Sequence, residues 1–320
     1  MAKTASVDSK EIEQKISQVI DEIETVIIGK RDVIRLVICA VLCNGHILIE
    51  DVPGVGKTTL GKTLAIVLGC TFKRIQFTPD LLPADITGTS IFNQKTSEFE
   101  FRRGPIFAQF VLADEINRAT PKAQSSLLEC MEERQVTVDG VTYPLPQPFF
   151  VIATENNVEY HGTYPLPEAQ LDRFMMRLSI GYPGAEEESA IIERQEVEHP
   201  ITKVRTILSS SEVVELQLAT RHIFIEPSVR DYIVEIVRVT REHPNLALGS
   251  SPRGSLHLSH AAKAFAAISG REYVLPDDVK AVAIPVLAHR LIPKPEARIR
   301  KVSTADIVSE IISTVPVPAV

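Results

Sequence analysis

The first half of the chain alternates between helical and strand-like spacing of its apolar residues. Isoleucine and valine recur every three or four positions over residues 9–24 and 33–42, which predicts two amphipathic helices. Short apolar runs then alternate with further helical patterns, such as residues 58–68 and 121–133. These runs predict buried strands at residues 46–50, 72–77, 107–113, 149–153 and 177–182. Strands that alternate with helices predict an α/β fold, a three-layer αβα sandwich around a parallel sheet.

Two segments interrupt this alternation. Residues 89–103 place alternating apolar positions around a polar tip. Residues 135–145 place them around Asp139-Gly140, a pair that favours the tight turn of a β-hairpin. We therefore expect two insertions that protrude from the sheet domain.

The pattern changes near residue 184, after a short segment with glycine and proline. Helical spacing dominates from there on, over residues 186–197, 211–223, 228–241, 255–269 and 276–289. We predict two domains. Residues 1–183 hold the N-terminal helices, the sheet and both insertions, and residues 184–320 form a smaller all-helical domain.

Composition narrows the classes of protein that fit. The formal net charge is −7, from 34 Lys and Arg against 41 Asp and Glu, which argues against general binding to nucleic acid. The four cysteines form no Cys-x-x-Cys pair, so we expect reduced thiols and no metal site. Neither an apolar signal core nor an apolar stretch of ~20 residues is present. We expect a cytoplasmic protein without membrane insertion.

The first candidate for chemistry is the segment 51–59 (DVPGVGKTT), between a predicted strand and a predicted helix. Glycines let main-chain N–H groups approach a phosphate, a lysine adds positive charge, and a following hydroxyl can bind Mg²⁺. The predicted residues for the nucleotide are Gly54, Val55, Gly56, Lys57, Thr58 and Thr59. Asp51 stands where this pattern usually has glycine, and the competing interpretation is a tight structural turn.

Polar residues follow two later strands. Asp114 and Glu115 end an apolar run, and the first acid suits Mg²⁺ shared with Thr58 while the second suits activation of a water. Asn156 follows the next apolar run, at the end of a strand where open α/β sheets bind ligands. The competing interpretations are acids that favour a helix N-terminus and an asparagine that favours a turn.

These motifs occur in an order that resembles the MoxR family of AAA+ ATPases. The matching stretches are GxGKT from Gly54, LADEINRA from Leu112, ATEN from Ala153, TYPLPEAQLDRF from Thr163 and SPR from Ser251. The family usually has Gln-Asn-Pro around Asn156, where this chain has Glu-Asn-Asn. The resemblance implies a ring, of six chains in typical members, with ATP and Mg²⁺ as cofactors and a helical lid.

The resemblance also assigns roles to individual residues. It places Lys57 and Thr58 in Walker A, Asp114 and Glu115 in Walker B, and Asn156 as sensor 1. Arg173 is similar to the arginine finger, which acts on the neighbouring chain's site, and Arg253 is similar to sensor 2 of the lid. For each arginine, a salt bridge to a nearby acid is the competing interpretation.

The expected function is an ATPase that remodels, matures or activates a protein client, by itself or with a partner that bears a von Willebrand A domain. One alternative is an ATP-driven nucleic-acid motor of the related helicase and chelatase group, against which the net charge of −7 counts. Another is a small-molecule phosphotransferase, against which the paired acids count, because they suit water as the nucleophile.

Overall fold

The computed structural model describes residues 8–156, 162–196 and 198–318. It begins with α1 (Ser9–Glu24) and α2 (Arg31–Leu42), close to the helices that the spacing predicts. Asp8 caps α1, because its carboxylate accepts a hydrogen bond from the main-chain N–H of Lys10 at 3.2 Å. The isoleucine and valine stripe of α1 is buried against the rest of the molecule.

The next part of the chain alternates strands and helices as predicted. In chain order its elements are β1 (Ile47–Glu50), α3 (Lys57–Val67), β2 (Phe72–Gln76), α4 (Pro83–Thr87), β3 (Gly88–Asn93), β4 (Glu98–Arg103), β5 (Phe110–Asp114), α5 (Pro121–Glu133), β6 (Gln135–Val138), β7 (Val141–Pro144), β8 (Phe150–Glu155), α6 (Glu168–Leu171) and β9 (Met176–Leu178). Five of the strands form a parallel sheet in the order β2-β5-β8-β1-β9.

Successive residues of the central strands face opposite sides of this sheet. Ile47 and Ile49 join a core cluster with α1, α2 and α3, whereas Leu48 joins a second cluster with α4 and α5. Burial of one such side chain contributes about 1.5–3 kcal/mol, so the sheet holds a helical layer on each face. The α/β prediction of three layers is therefore confirmed.

Two antiparallel hairpins leave this core. One consists of β3 and β4, and the other of β6 and β7, at the two segments that interrupt the strand and helix alternation. The hairpins contact each other through Phe101 of β4 and Tyr143 of β7, whose rings stack at 4.4 Å between centroids. Phe92 and Phe99 pair near the tip of the first hairpin, and Phe99 is 75% exposed there.

The last part of the chain is predominantly helical, as expected of a lid. Its elements are α7 (Ala185–Gln195), α8 (Ser210–Arg221), α9 (Pro227–Glu242), β10 (Leu246–Leu248), α10 (Pro252–Ile268), α11 (Pro276–Leu287), β11 (Ile292–Pro293), α12 (Pro295–Ile299) and α13 (Thr304–Thr314). Helix α10 packs on α1, α2 and α11, and buried alanines such as Ala261 and Ala264 allow this close approach.

The lid differs from its prediction in two details. It was expected to be all-helical, but β10 and β11 form a short antiparallel pair, and strands of two and three residues are too short to show a period of two. Helices α12 and α13 were not predicted, although Ile307, Val308 and Ile311 of α13 are buried. Across the three described ranges, no helix is long and apolar enough to cross a membrane.

Candidate functional site

A cavity of about 330 Å³ lies at the edge of the sheet where the parallel strands end. The loop between β1 and α3 forms one wall, and the ends of β5 and β8 form the other. The lining residues are Pro53, Gly54, Gly56, Lys57, Thr58, Thr59, Asp114, Glu115, Thr154 and Asn156. The fold thus brings together the phosphate loop, both acids and the asparagine that the sequence singles out.

The two glycines of the loop have a conformational requirement. Gly54 and Gly56 both have φ near +88°, a left-handed conformation that other residues rarely adopt. Apart from the adjoining residues of the loop, no heavy atom of the described part of the chain lies within 4 Å of the position that a Cβ would take at either residue. The loop is therefore shaped by these glycines and remains open on their side, as a cradle for an anion requires. Val55 points to the protein interior, where it packs against the core cluster.

Lys57 begins α3 and extends back along its own loop. Its Nζ donates to the main-chain oxygen of Asp51 at 2.6 Å and to that of Glu155 at 3.2 Å. Burial lowers the pKa of Lys57, and the carboxylates of Asp51, Asp114 and Glu115 oppose this shift. The lysine is thereby held at the cavity wall by strand ends on both sides of it.

Asp114 is nearly buried at the end of β5, and its carboxylate has two partners. One oxygen accepts a hydrogen bond from the Thr154 hydroxyl at 2.7 Å. The other accepts from Arg74 of β2, with Nε at 2.9 Å and a second guanidinium nitrogen at 2.5 Å. Since β2 lies beside β5 in the sheet, Arg74 neutralises the carboxylate from the neighbouring strand.

Glu115 occupies a strained position directly after that strand. Its φ of +56° is uncommon for a residue with a side chain, and its main-chain N–H donates to the Thr154 hydroxyl at 2.8 Å. The carboxylate accepts from Gln76 at 2.8 Å and forms an ion pair with Arg118 at 3.2 Å. These contacts turn the carboxylate toward the cavity and fix its orientation.

Asn156 follows β8 and is 6% exposed, with Glu155 beside it. Burial, together with the nearby carboxylate of Glu50, raises the pKa of Glu155 to about 7, and Arg177 opposes the shift. Glu50 and Arg177 form an ion pair at 2.8 Å. The acid that replaces the family's usual glutamine therefore lies in surroundings that favour its neutral form.

These side chains fit a magnesium nucleotide. The Thr58 hydroxyl and the Asp114 carboxylate are oxygen ligands of the kind that Mg²⁺ prefers, and both line the cavity. The open glycine loop and Lys57 suit the phosphates, and α3 directs its N-terminus toward them.

Arg173 and Arg253 lie elsewhere, at the edge of the sheet where the strands begin. Both contact Glu132 at the end of α5, with nitrogen–oxygen distances of 3.1 Å for Arg173 and 3.0 Å for Arg253. They line a second cavity of about 210 Å³ next to His46, which precedes β1. The structure brings the two arginines together, and it does not bring them to the phosphate loop of the same chain.

A buried arginine supports this second cluster. Arg290 forms an ion pair with Asp172 at 3.0 Å, and it donates to the main-chain oxygen of Phe174 at 2.6 Å. Burial lowers the pKa of Arg290 to about 10, and Asp172 opposes that shift. Asp172 also lies 3.5 Å from Arg253. The arginines are thus paired with acids from different elements, which the local sequence does not reveal.

Comparison with known proteins agrees with this geometry. Residues 46–176 match the ATPase family associated with various cellular activities (AAA), and residues 238–311 match the AAA lid domain. The chain is 43% identical to Chaperone MoxR1 of Mycobacterium tuberculosis, over 95% of this chain and 83% of that protein. It is 32% identical to Protein MoxR of Paracoccus denitrificans, over 92% and 94% of the two chains. The chain belongs to the MoxR family of AAA+ ATPases.

Other relatives agree with this MoxR assignment. The chain is 52% identical to the uncharacterized protein YeaC of Bacillus subtilis, over 95% of each chain. A crystal structure of a candidate ATPase from Cytophaga hutchinsonii superposes with a TM-score of 0.91 at 42% identity, over 97% of each chain. The names of YeaC, MoxR1 and MoxR do not indicate a nucleic-acid motor, so that alternative gains no support from these three relatives.

Sequence reasoning missed three residues of the MoxR site. Arg74 and Gln76 were assigned only to a strand, and Asp51 was treated as a departure from the loop pattern. The signal that could have found Arg74 and Gln76 is their polarity, because β2 reads FKRIQ and three of the five residues of this predicted buried strand are polar. Their partners Asp114 and Glu115 become visible only when β2 is placed beside β5.

Proposed function

We propose that this chain hydrolyses ATP with Mg²⁺ and uses the energy to remodel, mature or activate a protein client. The observation that carries the proposal is the cavity that Lys57, Asp114 and Glu115 line together with the glycine loop. A chaperone-like role is supported by the relative named Chaperone MoxR1. The recipient is a protein client, or a partner with a von Willebrand A domain, as the family resemblance implies.

Each side chain has a proposed task. The loop N–H groups and Lys57 bind the phosphates, and Thr58 and Asp114 hold Mg²⁺, which supplies neutralising charge to the phosphates. Glu115 accepts the proton of the attacking water, and Asn156 orients that water without adding charge. The hydrogen bond from Gln76 and the ion pair with Arg118 set the direction of this base.

We propose that the arginines complete the site of a second copy. Arg173 and Arg253 share Glu132 on the edge opposite to the phosphate loop, so a homo-oligomeric ring would place them at a neighbour's nucleotide. An arginine delivered to transferring phosphoryl oxygens accelerates related reactions by about 10³–10⁵.

The first test separates binding from turnover. Lys57→Ala should abolish ATP binding, because the phosphates lose their principal cation, whereas Glu115→Gln should bind ATP and lose turnover by a factor on the order of 10²–10⁴. Titration calorimetry and phosphate release measure the two effects. Hydrolysis at the wild-type rate by Glu115→Gln would contradict its assignment as the base, and stoichiometric phosphorylation of an added acceptor would favour a phosphotransferase instead.

A further inference from the structure

Asp51 makes more hydrogen bonds than a loop residue needs for its own conformation. It is 7% exposed, directly after β1. One carboxylate oxygen accepts from the Ser179 hydroxyl at 3.0 Å and from the main-chain N–H groups of Ile180 and Gly181, both at 2.7 Å. The other oxygen accepts from the N–H of Val52 at 2.8 Å. The carboxylate thus joins the phosphate loop to a segment about 130 residues away in the chain.

That distant segment is the connection into the lid. Residues 179–184 lead from the end of β9 to the start of α7. Lys30 also holds this connection, by donating to the main-chain oxygen of Tyr182 at 2.8 Å. In the described part of the chain, side chains of the sheet domain thus hold the connection by hydrogen bonds at two places, and Asp51 is the one inside the phosphate loop.

The main chain of Asp51 is tied to the phosphate-binding lysine. Its carbonyl oxygen accepts from Lys57 Nζ at 2.6 Å, and its N–H donates to the Glu155 oxygen at 3.2 Å. An ammonium group has three donors, and two of those of Lys57 are engaged by these two carbonyl groups. When Lys57 shifts toward a phosphate, the hydrogen bond to the Asp51 carbonyl must change in length or break.

We propose that Asp51 is a positioning residue that couples nucleotide occupancy of the phosphate loop to the position of the lid. The hydrogen bond between its carbonyl oxygen and Lys57 changes when the lysine moves. Its carboxylate accepts hydrogen bonds from Ser179, Ile180 and Gly181 at the lid connection. The proposal rests on the nucleotide binding proposed above. It also gives a reason for an acid where the loop pattern has glycine, since glycine at residue 51 would keep the carbonyl contact and lose the carboxylate contacts.

The carboxylate is suited to this task. Although burial by itself would raise the pKa of Asp51, the hydrogen bonds from Gly181, Ser179, Val52 and Ile180 lower the pKa below its ordinary value. Asp51 is therefore charged at neutral pH, and hydrogen bonds to a buried charge are stronger than those between neutral groups. A movement of the loop is transmitted to the connection without the contacts being lost.

The test compares Asp51→Gly and Asp51→Asn with wild type, using hydrogen exchange of α7 with and without ADP. ADP should change the exchange of α7 in wild type by at least about threefold. Asp51→Gly should bind ADP within about threefold of wild type by calorimetry and show no such change in α7. The kcat of Asp51→Gly should fall about tenfold while its KM stays within threefold of wild type. Asp51→Asn should give a kcat and an α7 response between those of wild type and Asp51→Gly.

Ser179→Ala serves as the matched control, because it removes one of the carboxylate contacts without altering the phosphate loop. It should reduce the response of α7 in part and keep ADP affinity, and it remains informative if Asp51→Gly does not fold. A full response in both Asp51 variants would overturn the inference. The inference would also be overturned if Asp51→Gly lost ADP affinity by more than tenfold and yet showed the wild-type change in α7 exchange at saturating ADP. If wild type itself binds no ADP, the proposed function fails first, and this inference fails with it.

Discussion

At the scale of single residues, Glu155 shows how a departure from the family pattern changes the electrostatics of the site. Its side chain lies in register beside Glu50 on the adjacent strand, and Arg177 is already paired with Glu50. Within the described part of the chain, its Oε1 is buried without a hydrogen-bond partner. A buried carboxylate next to another carboxylate is favoured in its protonated form.

This arrangement predicts a stability that falls as pH rises. The pKa of Glu155 is raised from 4.5 to about 7 in the folded chain, so the folded state holds the proton more tightly than the unfolded state. Ionisation of Glu155 in the folded chain therefore lowers the free energy of unfolding. This penalty is absent below pH 4.5, grows between pH 4.5 and 7, and levels off at up to about 3 kcal/mol above pH 7. Glu155→Gln replaces the acid with a neutral amide of the same shape and should remove this penalty.

Urea unfolding at pH 5.5 and pH 8 without nucleotide checks this expectation. The variant should gain free energy of unfolding over wild type at pH 8, and the gain should be clearly smaller at pH 5.5. Glu168→Gln, at an exposed position, is the control and should show no such pH dependence. An equal effect of Glu155→Gln at both pH values would mean that Glu155 is ionised in the folded chain.

At the scale of secondary-structure elements, an aromatic contact couples the two hairpins. The rings of Phe101 and Tyr143 are nearly parallel, at 22°, and join β4 to β7. Such a pair contributes about 0.5–1.5 kcal/mol beyond the area that it buries. Since each hairpin has only two strands, this contact contributes substantially to the ordering of one hairpin against the other.

Tyr143→Ala should therefore loosen both hairpins together. We expect amide exchange to rise about fivefold in β6–β7 and also in β3–β4, which corresponds to a loss of about 1 kcal/mol. Phe99→Ala is the matched control, because Phe99 pairs with Phe92 inside its own hairpin and should affect β3–β4 alone. Unchanged exchange in β3–β4 after Tyr143→Ala would show that the hairpins are ordered independently.

The elements that the sequence predicts well are those whose signal is local. The loop from Gly54 to Thr58 and the pair Asp114-Glu115 are contiguous, so strand, glycine and polar residue can be read together. Arg74 was missed, because its role depends on β2 lying beside β5, which is decided by the sheet order. The shared partner of Arg173 and Arg253 was missed for the same reason, since Glu132 lies on a helix 41 residues before Arg173.

At the scale of the whole molecule, the two ends of the parallel sheet carry different halves of the proposed chemistry. The phosphate loop lies where the strands end, and the cluster of Arg173 and Arg253 lies where they begin. A single chain cannot bring both to one nucleotide without a large rearrangement. In a ring where each chain presents its arginines to the phosphate loop of the next chain, one repeated interface would bring the loop and the arginines to the same nucleotide.

Mixtures of inactive variants test which chain each arginine serves. Lys57→Ala is expected to lose ATP binding and to keep normal arginines, whereas Arg173→Ala and Arg253→Ala are each expected to bind ATP and to lack one arginine. If both arginines act on the neighbour, each arginine variant should regain hydrolysis when mixed with Lys57→Ala, because some interfaces then pair an intact loop with intact arginines. Phosphate release at varied mixing ratios, with each variant alone as the control, measures the recovery.

The outcome for Arg253 carries the most information, because its resemblance to sensor 2 of the lid does not specify which chain's nucleotide it serves. Recovery with Arg173→Ala but not with Arg253→Ala would place Arg253 on its own chain's site, which would require the lid to leave Glu132 and Asp172 and cross to the other end of the sheet. Recovery with both follows from the ion pairs at Glu132 without such a movement. Absence of recovery with either variant would contradict the shared site, and each chain would then have to complete its own.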